Sequence, residues 1–136
     1  MTVSELARRA GVTADTVRHY TRSGLLVPIR DESNGYNCYS SGDLARLLFI
    51  RKARLLGFGV GDIRDILEES SHDHSPCQQV RRIMEQRLQE ARRRLQDLEK
   101  MQARMEYAAA LWANMPDGMP DGKAVCHLIE AIAMED

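Results

Sequence analysis

Aromatic residues are scarce in this chain: they make up 5% of its 136 residues, against 43% hydrophobic residues in all. That balance excludes an aromatic-rich sandwich core and predicts Leu, Ala and Met packing between helices. No apolar run approaches the roughly 20 residues of a membrane span. The opening MTVSELARRAG has no apolar h-region, so no export signal is expected and the predicted location is cytoplasmic. Cysteines number only three, an odd count. In a reducing compartment that argues against a disulfide framework and leaves thiols for metal or redox chemistry. The glycines of GFGVGD follow no strand, and no nucleophile–base arrangement or carboxylate pair stands out, so an enzyme is not expected.

The chain is long enough for one domain, or a small domain with an appendage. Its net charge of −1 gives no hint of a polyanionic partner. The charge is uneven, however: residues 1–56 hold nine Lys/Arg against five Asp/Glu, an excess of four. A basic N-terminal part on an acidic remainder suits phosphate contact by one end only, although a solvated charged face gives the same count.

TVSELARRAGVTADTVRHYTRSGLL reads as two short helices and a turn. Thr2 or Ser4 caps the first, Ala7 and Ala10 line its inner face, and Gly11 ends it. Thr13 caps the second, with Asp15 in its first turn and Val12 and Val17 inward. This is helix-turn-helix spacing, and a bare helical hairpin shares it. In VPIRDESNGYNCYSSGDL, Val27 to Arg30 is extended, Asn34-Gly35 is a hairpin signal, and Tyr36 and Tyr39 bracket a return strand. Ser41 or Asp43 is then expected to cap a helix starting near Leu44. A small β-wing after a helix-turn-helix makes a winged helix.

DLARLLFIRKARLLGFGVGDIRDILEES continues as two more helices, with Arg51, Lys52 and Arg54 as a second phosphate handle. SSHDHSPC breaks the chain, with Ser75 as cap and Pro76 near the start of a helix that runs to Trp112. Its apolar positions step by four and three through Met84, Leu88, Ala91, Leu95, Leu98, Gln102, Met105, Ala109 and Trp112. That heptad seam, with one polar interruption, predicts a two-stranded coiled coil and a homodimer. A doubled MPDG turn follows, then Cys126 beside His127, then a short helix around Leu128-Ile129. The expected organisation is mainly α: a winged-helix domain over 1–71, a hinge and dimerisation helix over 72–112, and a loop with a short helix over 113–136.

Together TVRHYTRSGLL, ESNGYNCYS and IRKARLLGFGVGDI resemble the DNA-binding domain of the MerR family of transcriptional regulators. The resemblance makes 1–71 the DNA-binding domain and 113–136 the effector loop, and implies a dimer joined by an antiparallel coiled coil. Such a dimer binds double-stranded promoter DNA with an over-long spacer and distorts it for RNA polymerase. By matching position it implies DNA contacts from Thr13, Thr16, Arg18, His19 and Tyr20 on the second helix, Arg30, Tyr36 and Tyr39 on the wing, and Arg54 in the second helical pair. One departure is Asn37, where the family's wing commonly has arginine; Cys38 beside it reads as structural.

The metal-sensing branch of that family implies a site shared between subunits. Cys77 matches the cysteine at the start of the long helix, which points to a divalent ion, zinc or a heavier thiophilic one such as cadmium, lead or mercury. Cys126 matches the second loop cysteine, whereas the counterpart of the first falls at or near Trp112. His127, His74 and more weakly His72 are candidate further ligands, while Met115 and Met119 would suit Cu(I). Two alternatives keep the regulator and change the switch: thiol oxidation or electrophile attack at Cys77 and Cys126, or an organic ligand near Trp112.

Overall fold

A computed structural model describes residues 1–134. The chain divides into two compact units, Met1–Arg87 and the remainder from Leu88.

The first unit opens with α1 (Val3–Ala10) and α2 (Ala14–Arg22). Thr2 caps α1 by accepting the Glu5 N–H, and Thr13 caps α2 by accepting the Thr16 N–H at 3.1 Å. Gly11 ends α1 in the left-handed region (φ 71°), and a side chain there would also crowd the Arg51 guanidinium. Strands β1 (Ile29–Arg30) and β2 (Asn37–Cys38) pair antiparallel, Ile29 opposite Cys38 and Arg30 opposite Asn37. Asn34-Gly35 lies in their connection, which is longer than a two-residue turn. The Asp31 N–H donates to the Tyr36 carbonyl at 2.8 Å, and the Gly35 N–H closes back on the Asp31 carbonyl at 2.7 Å. The Asp31 carboxylate shapes that loop by accepting from the Ser33 hydroxyl (2.6 Å) and N–H (2.9 Å).

Helix α3 (Ser41–Leu55) starts earlier than the sequence predicted, because its cap is Ser40 rather than Ser41 or Asp43. Ser40 Oγ accepts the Asp43 N–H at 3.2 Å while the Asp43 carboxylate accepts the Ser40 N–H at 2.8 Å, a reciprocal capping box that fixes the start. Helix α4 (Val60–Ser71) follows, and α5 (Cys77–Trp112) begins where Ser75 Oγ accepts the Cys77 N–H. Leu6, Val17, Leu25, Leu26, Leu47, Ile50 and Ile63 are the largest fully buried side chains, and Ile83 from the start of α5 joins them. Each such burial is worth about 1.5–3 kcal/mol.

Arginines lock this core to the helix ends. Arg46 Nε donates to the Leu25 carbonyl at 2.6 Å, Arg51 to Ala10 at 2.5 Å and Arg64 to Ser23 at 2.7 Å. The last two neutralise orphan carbonyls at the C-terminal ends of α1 and α2.

The second unit contains the rest of α5 and α6 (His127–Glu130). On α5 the heptad residues Leu88, Leu95, Leu98 and Met105 are 40%, 58%, 60% and 61% exposed, a stripe that a single chain leaves open.

Candidate functional site

Two sets of residues stand out, one in each unit. In the first, α2 and the wing border an open cleft of about 920 Å³, lined among others by Arg18, Arg22, Asn34, Tyr36 and Asn37. Arg18 is exposed on α2 and ion-paired with Asp15 at 2.7 Å, three residues earlier on the same helix. A pair this exposed contributes little to stability, so the guanidinium is free to exchange partners at low cost. His19 is exposed, and its ring stands 5.4 Å from that of Tyr20. The hydroxyls of Thr13 and Thr16 share a hydrogen bond of 2.8 Å at the start of α2.

On the wing, Tyr36 is 74% exposed. Arg30 is exposed as well, with Nε donating to the Gly35 carbonyl at 3.1 Å, a bond that stiffens the loop. Tyr20 and Tyr39 are placed differently from their expected role at a phosphate backbone. Both are buried, and the Tyr39 hydroxyl bonds the Thr21 hydroxyl at 2.7 Å, tying the end of the wing to α2. Their DNA contacts are implied only by matching position in the family resemblance, and here both rings pack in the core. Arg54 donates to the Phe58 carbonyl at 3.0 Å, a bond that stabilises the turn after α3. Arg22, which the sequence reading passed over, joins the cleft four residues after Arg18. That i,i+4 spacing on one helix was the available signal.

In the second unit the loop after α5 is held from both ends. The indole N–H of Trp112 donates to the Leu128 carbonyl at 2.5 Å, and the Val125 N–H donates to Glu130 Oε1 at 3.0 Å. Cys126 lies at the N-terminal end of α6, half-buried, with a free thiol that makes no capping bond. His127 follows, half-buried, its Nε2 2.8 Å from the Pro116 carbonyl. Met115 is half-buried, whereas Met119 is 87% exposed.

Cys77, in the first unit, is exposed as the first residue of α5. His72 ends α4, and both His72 and His74 are exposed. Cys38 is exposed in β2, its sulfur 3.8 Å from the chain's N-terminal nitrogen. Among the described residues, no three His, Cys, Asp or Glu side chains gather within one chain in a way that could hold a metal ion.

Residues 1–70 match the family model of the MerR HTH family regulatory protein, and residues 44–108 match that of the MerR DNA-binding region. The chain belongs to the MerR family. It is therefore a DNA-binding transcription regulator and not an enzyme. It is 37% identical over 105 residues to the HTH-type transcriptional regulator ZntR of Escherichia coli K12, spanning 76% of this chain and 74% of ZntR. It is 30% identical over 103 residues to the mercuric resistance operon regulatory protein of Pseudomonas fluorescens, spanning 76% of this chain and 70% of that protein. Its fold is similar to that of the transcription regulator PbrR691 from Ralstonia metallidurans CH34, solved in complex with lead(II) (TM-score 0.75, 22% identity, 98% of this chain and 99% of that one). No helix among the described residues of this MerR-family chain is long and apolar enough to cross a membrane.

Proposed function

We propose that this MerR-family regulator is a homodimer that binds promoter DNA and responds to a divalent metal ion. Thiolates from Cys77 of one subunit and Cys126 of the other would hold the ion. The observation that carries this reading is the free, half-buried Cys126 thiol at the start of α6, in a loop closed by the Trp112–Leu128 and His127–Pro116 hydrogen bonds. A loop ordered in this way holds a ligand near its working position, which lowers the entropic cost of binding. Relatives that respond to or bind metals support the choice of effector: one regulates a mercuric resistance operon and another was solved with lead(II).

The donor set fits a soft or borderline divalent ion, with two thiolates sufficient for linear mercury(II) and forming half of a tetrahedral zinc shell. Bound there, the ion would supply charge neutralisation between two thiolates and a crosslink between subunits. The chain's own contribution is to fix Cys126 through α6 and Cys77 through the first turn of α5. The exposed stripe Leu88, Leu95, Leu98 and Met105 supplies the dimer seam.

On the DNA side, Arg18, Arg22 and His19 on α2 and Arg30 and Tyr36 on the wing are the groups best placed for phosphate and base-edge contact. Thr13 and Thr16 sit at the start of α2, where hydroxyls and helix N–H groups meet phosphates. Metal would shift the dimer between two DNA-bound shapes, distorting an over-long promoter spacer for RNA polymerase.

Native mass spectrometry of the reduced dimer with zinc(II), lead(II) and mercury(II), for wild type and Cys77→Ser, tests the reading. Retention of one of these ions by wild type and its loss in the variant is the expected result. Absence of any bound divalent ion, or binding unchanged by Cys77→Ser, overturns it.

A further inference from the structure

The eight residues Met115–Gly122 spell MPDG twice, and the two copies are held in different ways. The second copy is self-contained. Its Asp121 carboxylate accepts the N–H groups of Lys123 (2.7 Å) and Ala124 (2.8 Å), and the Asp121 N–H returns to the Ala124 carbonyl at 3.0 Å. The first copy instead closes on His127. The Pro116 carbonyl lies 2.8 Å from Nε2 of the imidazole. Gly118 lies against the same ring, so closely that a β-carbon there would run into Nδ1 and Cε1. No side chain other than glycine's hydrogen fits that approach.

These contacts determine what the ring can do. A carbonyl oxygen only accepts, so Nε2 must carry the proton and act as donor. Nδ1, the nitrogen left with a lone pair in the neutral ring, faces Gly118. The first turn thus hydrogen-bonds Nε2 and packs Gly118 against the Nδ1 side of the ring. Cys126 immediately precedes His127, and the Leu128 carbonyl immediately after it accepts the Trp112 indole N–H. The imidazole is thus a pin on the first turn of α6, next in sequence to Cys126.

We propose that His127 is a positioning residue rather than a ligand: its imidazole, clamped by Pro116 and Gly118 of the first MPDG copy, fixes the Cys126 thiol, while the second copy serves as a spacer turn. The proposal rests on the metal-sensing reading only for its functional consequence, because the clamp itself is made by the chain's own groups. It also gives the doubled motif two separate jobs. A length change in the second copy is tolerated, whereas any side chain at Gly118 is not.

The test compares Gly118→Ala, His127→Ala and His127→Gln in two full-length backgrounds. In the first, Cys38→Ser and Cys77→Ser leave Cys126 as the sole thiol, and its alkylation rate is measured without metal. A glutamine amide N–H reaches the same carbonyl as the imidazole Nε2–H, so His127→Gln keeps the bond without keeping a ring nitrogen. The clamp predicts that His127→Ala and Gly118→Ala each raise the rate by about three- to tenfold, the shift in local opening expected on losing one neutral hydrogen bond. Their combination adds little further, and His127→Gln stays near the unsubstituted rate. In the second background, with all cysteines present, zinc(II) competition titration should give the same ranking of affinities.

A ligand role reverses the pattern: His127→Gln loses zinc(II) as severely as His127→Ala, and Gly118→Ala keeps it. That result, or alkylation rates indifferent to Gly118→Ala and His127→Ala, overturns the proposal. If the unsubstituted protein holds no zinc(II), the metal-sensing reading loses its support there. The alkylation ranking still decides the clamp.

Discussion

The indole N–H of Trp112, the last residue of α5, donates to the carbonyl of Leu128 in α6 at 2.5 Å. Trp112 stands at or near the position where the family resemblance leads one to expect the first loop cysteine. That hydrogen bond closes the loop between α5 and α6. Trp112→Phe keeps the ring and removes the donor. It should cost about 0.5–1.5 kcal/mol of local stability. Amide exchange in α6 should then quicken about two- to tenfold by hydrogen-exchange mass spectrometry, with the first unit unaffected.

Asp62 joins two elements of the first unit. Its carboxylate accepts the Gly59 N–H at 2.8 Å, closing the start of α4, and the Arg87 guanidinium from α5 at 2.7 Å through Nη2 and 3.0 Å through Nε. Burial opposes its ionisation, but the Gly59 and Arg87 contacts outweigh that, so its pKa lies below the ordinary 3.8. A depressed carboxylate pKa adds stability that is fully present above the ordinary value and is lost as pH falls through the lowered one. Asp62→Asn should therefore destabilise by about 1 kcal/mol at pH 7, with Arg87 partly solvated and the gain screened accordingly. The difference from wild type should shrink as pH falls through that lowered pKa, as read by urea unfolding across a pH series.

On the proposed DNA-binding face, Arg18 would exchange its exposed intrahelical partner for DNA at little cost. Arg18→Ala should weaken promoter binding by about 1–3 kcal/mol if the contact is to a base edge, and relax preference at that base pair. Tyr20→Phe, which removes only a hydroxyl from a mostly buried ring, should change DNA affinity much less. Fluorescence anisotropy at fixed salt distinguishes these two variants.

The open stripe on α5 predicts the oligomeric state. Leu98→Glu places a charge at a seam position in both subunits and should raise the dimer dissociation constant by at least about a hundredfold, from roughly 3 kcal/mol of lost burial. Arg93→Gln, on the opposite face of the same helix, should leave it unchanged. Analytical ultracentrifugation across a dilution series reads both.

Much of the fold was legible in the sequence because caps and turns act locally. Thr2, Gly11 and Thr13 bound their helices through contacts three or four residues away. The start of α3 was misplaced by the same kind of reasoning: Ser40, Ser41 and Asp43 all offer capping oxygens, and only the reciprocal Ser40–Asp43 bonds select among them. Long-range uses of a side chain were not legible. Nothing adjacent to Arg51 or Arg64 shows that each would close a helix end 41 residues away. Tyr20 and Tyr36 both read as DNA-facing, and tertiary packing buries one and exposes the other. His127 read as a metal ligand because it neighbours Cys126, and its engagement by Pro116 and Gly118 appears only once the turn is folded.

Mixed dimers test most directly whether Cys77 of one subunit and Cys126 of the other meet across the dimer. A heterodimer pairing a Cys77→Ser subunit with a Cys126→Ser subunit retains one intact inter-subunit pair and no intact pair within a subunit. Native mass spectrometry with mercury(II) should find one tightly held ion per such heterodimer, and none in a heterodimer of wild type with the doubly substituted chain. The opposite pattern, with the ion lost from the first and kept by the second, would place both thiols in one subunit and contradict the account.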